Sequence, residues 1–157
     1  MGAGMVWTPR VTVAAVVEQS GRYLLVEELA DDAVVFNQPA GHLDPDESLL
    51  DAVIREVLEE TGRTFVPEAV TGVYLWTHPS GDTYLRVAFC GTVGDRRPGS
   101  ILDTGIVDAR WLTLDEIAAL AAKHRSPLVM RCIDDYRAGA RHSLELLQRL
   151  LPDGSRA

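Results

Sequence analysis

The segment from residue 41 to residue 62 reads GHLDPDESLLDAVIREVLEETG, and it decides how the rest of the sequence is interpreted. Its second half predicts an amphipathic helix from Ser48 to Thr61, because apolar residues recur every three or four positions and form one buried stripe. Gly62 is a natural end for this helix, since glycine tolerates the left-handed backbone of a C-terminal cap. The apolar stripe consists of Leu50, Val53, Ile54 and Val57.

Three glutamates share another side of this predicted helix. At about 100° per residue, Glu56, Glu59 and Glu60 fall within one sector that faces away from the apolar stripe. Like charges at these spacings repel by roughly a few tenths of a kcal/mol per pair, and Arg55 neutralises only part of that charge. A hard divalent cation is the natural counterion, and Mg²⁺ fits best, with Mn²⁺ as the second choice. A solvated acidic helix face is the alternative interpretation.

A formal net charge of −8 limits the partners of this protein. An acidic surface repels nucleic-acid backbones and anionic lipids, because both bind to clustered Lys and Arg. A small phosphorylated ligand is compatible with this charge if a cation cancels it at the site. The charge therefore predicts no nucleic-acid polymer and no membrane partner, and it allows a small-molecule ligand that carries phosphate; for the assembly we expect a monomer or a homodimer.

The same segment resembles the signature of the Nudix hydrolase family. That signature is a Gly, five residues, Glu, seven residues, Arg-Glu, an aliphatic residue, any residue, Glu-Glu, any residue, Gly and a final aliphatic residue. Arg63 replaces the final aliphatic residue, and this departure affects packing rather than ligands. The matching residues are Gly41, Glu47, Arg55, Glu56, Val57, Glu59, Glu60 and Gly62.

This resemblance implies both a fold and a set of site residues. The fold would be of the α/β (α+β) class, a Nudix-type α/β/α sandwich with a mixed β-sheet and a central catalytic loop-helix. Arg55 would orient the carboxylates, and Glu47 would brace the junction of loop and helix by pairing with Arg55. The metal ligands would be the carboxylates of Glu56, Glu59 and Glu60 together with the carbonyl of Ala40.

Further short matches along the chain resemble the NudJ branch of bacterial phosphatases within this family. They imply hydrolysis of nucleoside di- and triphosphates and of thiamine-pathway pyrophosphates (thiamine pyrophosphate and hydroxymethylpyrimidine pyrophosphate), with release of phosphate. Two alternatives stay open: a nucleoside-diphosphate-linked pyrophosphatase such as an ADP-ribose pyrophosphatase, and a non-catalytic Nudix-fold binding module. The matching segments are 11–14, 37–43, 84–86, 110–111, 125–129 and 143–145.

Five residues outside the signature are candidate substrate contacts. Arg86, within a predicted strand, and Arg10, just before the first strand, could hold a phosphate by paired hydrogen bonds, or could be surface charges. Asn37 and Gln38 could bond a heterocycle edge, although amides at such positions also cap turns. Trp76 could stack on a ring or pack in the core. His42 is expected to be a hydrogen-bonding residue of the loop.

The general base has four candidates, because the family takes its base either from the signature or from an acid on a later loop. Asp103 lies in a glycine-containing stretch before Arg110-Trp111, whose position suits a loop over the site. A solvated loop acid is the alternative for Asp103. The sequence does not choose among Glu56, Glu59, Asp103 and Asp108.

The length of 157 residues predicts a single domain over residues 1–157, with an ordered core of about residues 6–151, and the resemblance implies that it is a Nudix hydrolase domain. We expect a cytoplasmic location, because Cys90 and Cys132 lie in apolar surroundings as buried thiols do and because the N-terminus lacks a signal-peptide core. Strands are predicted at 11–17 and 23–26 as a hairpin, at 34–36, at 70–77 and 83–93 as a second hairpin, and at 111–112. Helices are predicted from a capping box at 113–116 through 122 and at 127–137, with a third amphipathic stretch at 143–151.

Overall fold

The computed structural model describes residues 4–157, in which eight β-strands and three α-helices form the fold. The strands are β1 (Arg10–Val16), β2 (Glu18–Gln19), β3 (Arg22–Ala30), β4 (Ala33–Asn37), β5 (Ala40–His42), β6 (Phe65–Thr77), β7 (Thr83–Val93) and β8 (Ile106–Thr113). The helices are α1 (Leu49–Thr61), α2 (Leu114–Ala119) and α3 (Leu128–Arg137), and single 3₁₀ turns occur at Ala121–Lys123 and Leu144–Leu146.

The strands form two four-stranded sheets. The first has the order β5-β1-β7-β6 and is mixed, because β1 runs parallel to β7 while the other neighbours are antiparallel. In the second sheet β3 pairs with β2, β4 and β8, all antiparallel. The mixed sheet was predicted, whereas the second sheet was not.

Helices cover both faces of the mixed sheet, as the alternating side chains of β1 show. Val13 and Ala15 belong to an apolar cluster with the buried residues of α1, whereas Val16 packs in a second cluster with α2 and α3. A strand that is buried on both faces requires this layered arrangement, because successive side chains point in opposite directions. The predicted α/β/α sandwich is therefore confirmed.

Helix α1 has the predicted extent and the predicted ends. The Ser48 hydroxyl accepts a hydrogen bond from the Asp51 N–H at 3.0 Å and caps the first turn. Gly62 ends the helix with a φ of 70°, and its N–H donates to the Leu58 carbonyl. The apolar stripe packs against β1, with Val53 and Val57 fully buried.

The second predicted hairpin is confirmed as β6 and β7. The first is confirmed only next to its turn at Ser20–Gly21, where residues 17–19 pair with residues 22–24. Its longer strand β1 does not pair with β3 and joins the other sheet. The reason is that β1 is buried on both faces, so it occupies the interior of the mixed sheet beside β7. Strand β5 was predicted as loop, and β8 is longer than residues 111–112.

The predicted third helix at 143–151 is also wrong. The structure has one 3₁₀ turn at Leu144–Leu146, which the Ser143 hydroxyl caps by accepting from the Glu145 N–H. Leu144 and Leu147 already pack on the α1 side of the core through this single turn. A nine-residue helix would add little stability beyond that contact, because short isolated helices are only marginally stable in water. Within residues 4–157, none of the helices has the length and the hydropathy of a membrane span.

Candidate active site

Strand β5 and helix α1 bring the predicted metal ligands to one edge of the mixed sheet. The carboxyl group of Glu56 lies directly against the backbone of Gly41, where a Cβ atom would overlap it. Glycine is required at this position because of this close approach rather than because of its backbone angles. Gly41 therefore lets α1 place a carboxylate against the edge strand.

Glu60 is almost fully buried beside the neighbouring residue of β5. Its Oε1 accepts a hydrogen bond from the Ala40 N–H at 2.7 Å. Ala40 lies opposite Ala14 of β1. The backbone hydrogen bonds between β1 and β5 are made by other residues, including the N–H groups of Ala15 and Leu43. Ala40 is therefore at a non-hydrogen-bonded position of this antiparallel pair. Both the N–H and the carbonyl of Ala40 therefore point away from β1, toward the glutamates. This orientation is the one that the predicted carbonyl ligand needs.

Arg55 connects the other carboxylates of the segment. Its guanidinium pairs with Glu47 through Nε at 3.0 Å and through Nη2 at 2.6 Å. Its Nη1 donates to Glu56 at 2.7 Å and to Glu59 at 3.2 Å. Nη2 also donates to the carbonyl of His42 at 3.0 Å. The predicted pair of Glu47 and Arg55 is thus present, and Arg55 holds Glu56 and Glu59 in place.

Burial and mutual repulsion change the proton affinity of these groups. Burial raises the pKa of Glu56, although the bond from Arg55 opposes the shift. Burial also raises the pKa of Glu60 to about 9, against the opposing bond from the Ala40 N–H, and Glu28 adds repulsion. The bonds to Arg55 lower the pKa of Glu47, and the same bonds raise the pKa of Arg55. Carboxylates that are buried together in this way have a strong demand for positive charge.

The donor set fits a hard divalent cation, because it consists of carboxylate oxygens and a backbone carbonyl. As the side chains of residues 4–157 stand, no three acidic, His or Cys groups are close enough to enclose an ion. Nη1 of Arg55 lies between Glu56 and Glu59 and supplies the positive charge there.

Asp103 and Asp108 lie in different environments. The Asp103 N–H donates to the carbonyl of Glu59 at 2.9 Å, so the loop from β7 to β8 lies against the last turn of α1. Asp103 is also close enough to raise the pKa of both Glu56 and Glu60. Asp108 is within β8, and its carboxylate pairs with Arg96 at 3.6 Å. Of the two, the structure brings Asp103 to the glutamates.

A cavity of about 730 Å³ adjoins this edge, between the mixed sheet, the second sheet and the start of α3. Three of the predicted substrate contacts, Asn37, Trp76 and Arg86, line this cavity, as does Ala40. Arg10 is instead paired with Asp82 at 3.4 Å on the rim. Gln38 is fully buried behind the wall, where its Nε2 donates to the carbonyl of Val129 at 2.7 Å.

Several residues of the cavity wall were not predicted as contacts. The ring of Tyr84 stacks on that of Trp76 with centroids 5.9 Å apart, and His42, which lies in β5 rather than in a loop, is 6.4 Å from Tyr84. The alternation of β7 could have indicated Tyr84, because it lies two residues before Arg86 and on the same face. Arg125 pairs with Glu28 at 3.1 Å, a contact between distant segments for which the sequence has no local signal.

Comparison with known proteins agrees with this geometry. Residues 8–132 match the family described as the NUDIX domain. The chain belongs to the Nudix hydrolase family. It is 39% identical to the phosphatase NudJ of Escherichia coli K12 over 139 residues, which cover 88% of this chain and 90% of that protein.

Solved structures of Nudix proteins have the same fold. A NUDIX hydrolase from Nitrosomonas europaea has a TM-score of 0.90 and 57% identity, covering 94% of this chain and all of that chain. The MutT NUDIX hydrolase from Burkholderia pseudomallei has a TM-score of 0.70 at 20% identity, covering 82% of this chain and 98% of that chain, and so shows the fold alone. The predicted family, fold and enzyme class are confirmed: this Nudix hydrolase acts on phosphoanhydrides, and such enzymes generally use divalent metal ions.

Glu60 makes the stability of the metal-free enzyme depend on pH. Its pKa is raised from 4.5 to about 9 in the folded protein, so between these values the folded state binds more protons than the unfolded state. The free energy of unfolding therefore falls as the pH rises through this window. We expect Glu60→Gln, which keeps the bond from Ala40, to exceed the wild type by at least about 1 kcal/mol near pH 8 with a chelator present, measured by urea denaturation.

The matched control is Glu68→Gln, which changes an exposed glutamate of β6. Its free energy of unfolding should stay within about 0.5 kcal/mol of the wild type across the same pH range. Equal stability of Glu60→Gln and the wild type at every pH would contradict the buried position of the carboxylate.

Proposed function

We propose that this Nudix hydrolase is a Mg²⁺-dependent phosphohydrolase of small diphosphates and triphosphates, with Mn²⁺ as a substitute. The substrate class comprises nucleoside di- and triphosphates and thiamine-pathway pyrophosphates, with inorganic phosphate as a product. The observation that carries this proposal is the cluster of Glu56, Glu59 and Glu60 at the open edge of β5, next to a cavity large enough for a nucleotide-sized ligand. The 39% identity to a protein named phosphatase NudJ supports the choice of product.

In this proposal Glu56, Glu59, Glu60 and the Ala40 carbonyl hold the cation. The cation would screen the charge of the phosphates and lower the pKa of an attacking water. Arg55 orients Glu56 and Glu59, since its guanidinium already bonds both carboxylates. Asp103 is the proposed general base, because its loop is hydrogen-bonded to the last turn of α1 and its carboxylate acts electrostatically on Glu56 and Glu60.

The cavity holds the organic part of the substrate. Tyr84 and Trp76 form a stacked aromatic surface on its wall, which suits the flat face of a heterocycle. Asn37 lines the same wall and offers an amide to a ring edge. The formal charge of −8 supports a small substrate rather than a nucleic-acid polymer.

We further propose that residues 1–157 form one catalytic domain with a cytoplasmic location. Segments outside the matched residues 8–132 support the single domain, because Leu144 and Leu147 pack on the α1 side of the core. The location is supported by Cys90 and Cys132, which are buried free thiols, as is usual in a reducing compartment.

Product analysis separates this proposal from its main alternative. A phosphate-release screen over nucleoside di- and triphosphates, thiamine pyrophosphate, hydroxymethylpyrimidine pyrophosphate and ADP-ribose, with and without Mg²⁺, measures both activity and leaving group. We expect inorganic phosphate from the diphosphates and triphosphates. Paired monophosphates formed from ADP-ribose as the best substrate would replace the proposal with a nucleoside-diphosphate-linked pyrophosphatase.

Glu59→Gln should reduce Mg²⁺-dependent hydrolysis by at least about a hundredfold, because it removes a charged ligand of an ion that stabilises the transition state. The side chain of Glu59 is 42% exposed, so the substitution should leave the fold intact. Steady-state kinetics checks the loss, with Glu68→Gln as the control that retains activity. Hydrolysis at the wild-type rate in Glu59→Gln would show that Glu59 is not a required metal ligand, whereas failure of the wild type to hydrolyse any of the screened substrates would favour a binding module.

Asp103→Asn tests the general base. We expect kcat to fall by about a hundredfold, with a smaller change in KM, because a general base acts on the attacking water in the transition state. The comparison is Asp108→Asn, which removes a carboxylate that is paired with Arg96 instead. Equal kcat values for Asp103→Asn and the wild type would move the base to Glu56 or Glu59.

A further inference from the structure

Arg86 differs from every other basic residue that the structure describes, because it is the only buried Lys or Arg within residues 4–157. It lies opposite Thr12 of β1, and its neighbours Val87 and Ala88 belong to the α1-side and α3-side clusters respectively. By alternation, Arg86 faces the α3 layer, whereas the glutamates of α1 lie on the other face. Arg86 is therefore placed to contact a part of the ligand other than the reacting phosphates.

Neutral groups hold the guanidinium of Arg86 in place. Nη1 donates to Gln38 Oε1 and Nη2 donates to Asn37 Oδ1, both at the long distance of 3.4 Å. Gln38 is itself fixed by its bond to the Val129 carbonyl of α3. The Nε atom of Arg86 is buried without a hydrogen-bond partner, and Arg86 forms no salt bridge with the residues that the structure describes. The side chain is thus positioned but its charge is not neutralised.

A buried charge without a counterion is unfavourable, because it has lost hydration and gained no opposite charge in return. The other basic groups at this cavity do not have this problem, because Arg125 is half-exposed and pairs with Glu28, and Arg10 pairs with Asp82. Asp31 also lines the cavity but is exposed, so solvent screens its charge. An anion in the cavity would supply the missing counterion of Arg86.

The start of α3 adds to this positive potential. Ser126 and Leu128 line the same cavity at the N-terminal end of the ten-residue helix. The N-terminus of a helix carries about half a positive charge from the aligned peptide dipoles. Arg86 and this helix end therefore act on the same space, and both favour a negative ligand group.

We propose that Arg86, positioned by Asn37 and Gln38, forms a subsite for a second anionic group of the substrate, a carboxylate or a phosphoryl group that is not hydrolysed. Preferred substrates are then phosphoanhydrides whose organic part carries an additional negative charge beside a ring that stacks on Tyr84 and Trp76. The inference rests on the proposed function in one respect, that this cavity is the substrate site.

Binding of matched ligand pairs to the intact metal-free protein tests this subsite without any hydrolysis. One pair is orotidine 5′-monophosphate and uridine 5′-monophosphate, which differ by a ring carboxylate. The other pair is adenosine 3′,5′-bisphosphate and adenosine 5′-monophosphate, which differ by a phosphoryl group. In isothermal titration calorimetry we expect the more anionic member of at least one pair to bind about tenfold more tightly or better, and the pair that responds identifies the anion.

The variants assign that preference to Arg86. In Arg86→Met the ratio of the two dissociation constants should fall to about one, and in Arg86→Lys it should be intermediate, because lysine keeps the charge without the planar donor fork. Arg22→Met is the matched control, since it removes an equal charge outside the cavity, where Arg22 pairs with Glu116, and its ratio should stay at the wild-type value.

Two results would overturn the inference, and neither depends on catalysis. The first is that the wild-type protein binds the two members of each pair with equal affinity, a result that needs no measurement on Arg86→Met. A ratio that survives in Arg86→Met, with both members weakened alike, would show that Arg86 binds the shared phosphate instead. Failure of the proposed function has a different signature, the absence of Mg²⁺-dependent phosphate release while the binding ratios persist.

Discussion

The close contact between strand β5 and helix α1 is the constraint on which the site depends. Gly41 has no side chain, so the carboxyl group of Glu56 can lie against the backbone of the edge strand. The next backbone N–H, that of Ala40, is pointed outward by the antiparallel register with β1 and bonds Glu60. A larger residue at position 41 or a shifted register would separate the helix carboxylates from the strand.

The charge balance of the site follows from this contact. Burying Glu56 and Glu60 together raises the pKa of both, and Arg55 offsets the cost by bonding Glu47, Glu56 and Glu59 at once. Arg55 is therefore the internal counterion of this cluster. Because it neutralises only part of the negative charge, the cluster keeps its demand for a further cation.

The mixed sheet separates the two parts of the proposed site. The carboxylates of α1 meet the edge strand from one face, while Arg86, Tyr84 and Trp76 line a cavity on the other face, and Ala40 lies at the edge where the two regions join. A substrate that spans this edge can place a phosphoanhydride at the glutamates and its organic part in the cavity. The two regions can change separately, since they depend on different elements of the same sheet.

The sequence by itself determined the local parts of this protein. Helix α1, its cap at Ser48 and its end at Gly62 follow from periodicity and cap chemistry, which act within a few residues, and the signature over residues 41–62 already indicated the family. Tertiary structure alone decided which strands pair, that Asp103 lies against Glu59 whereas Asp108 does not, and that Arg86 is buried on the face opposite the carboxylates. These features arise from contacts between segments that are distant in the sequence. Packing of the whole chain, rather than the local preference of each segment, decides which strands pair and which side chains are buried.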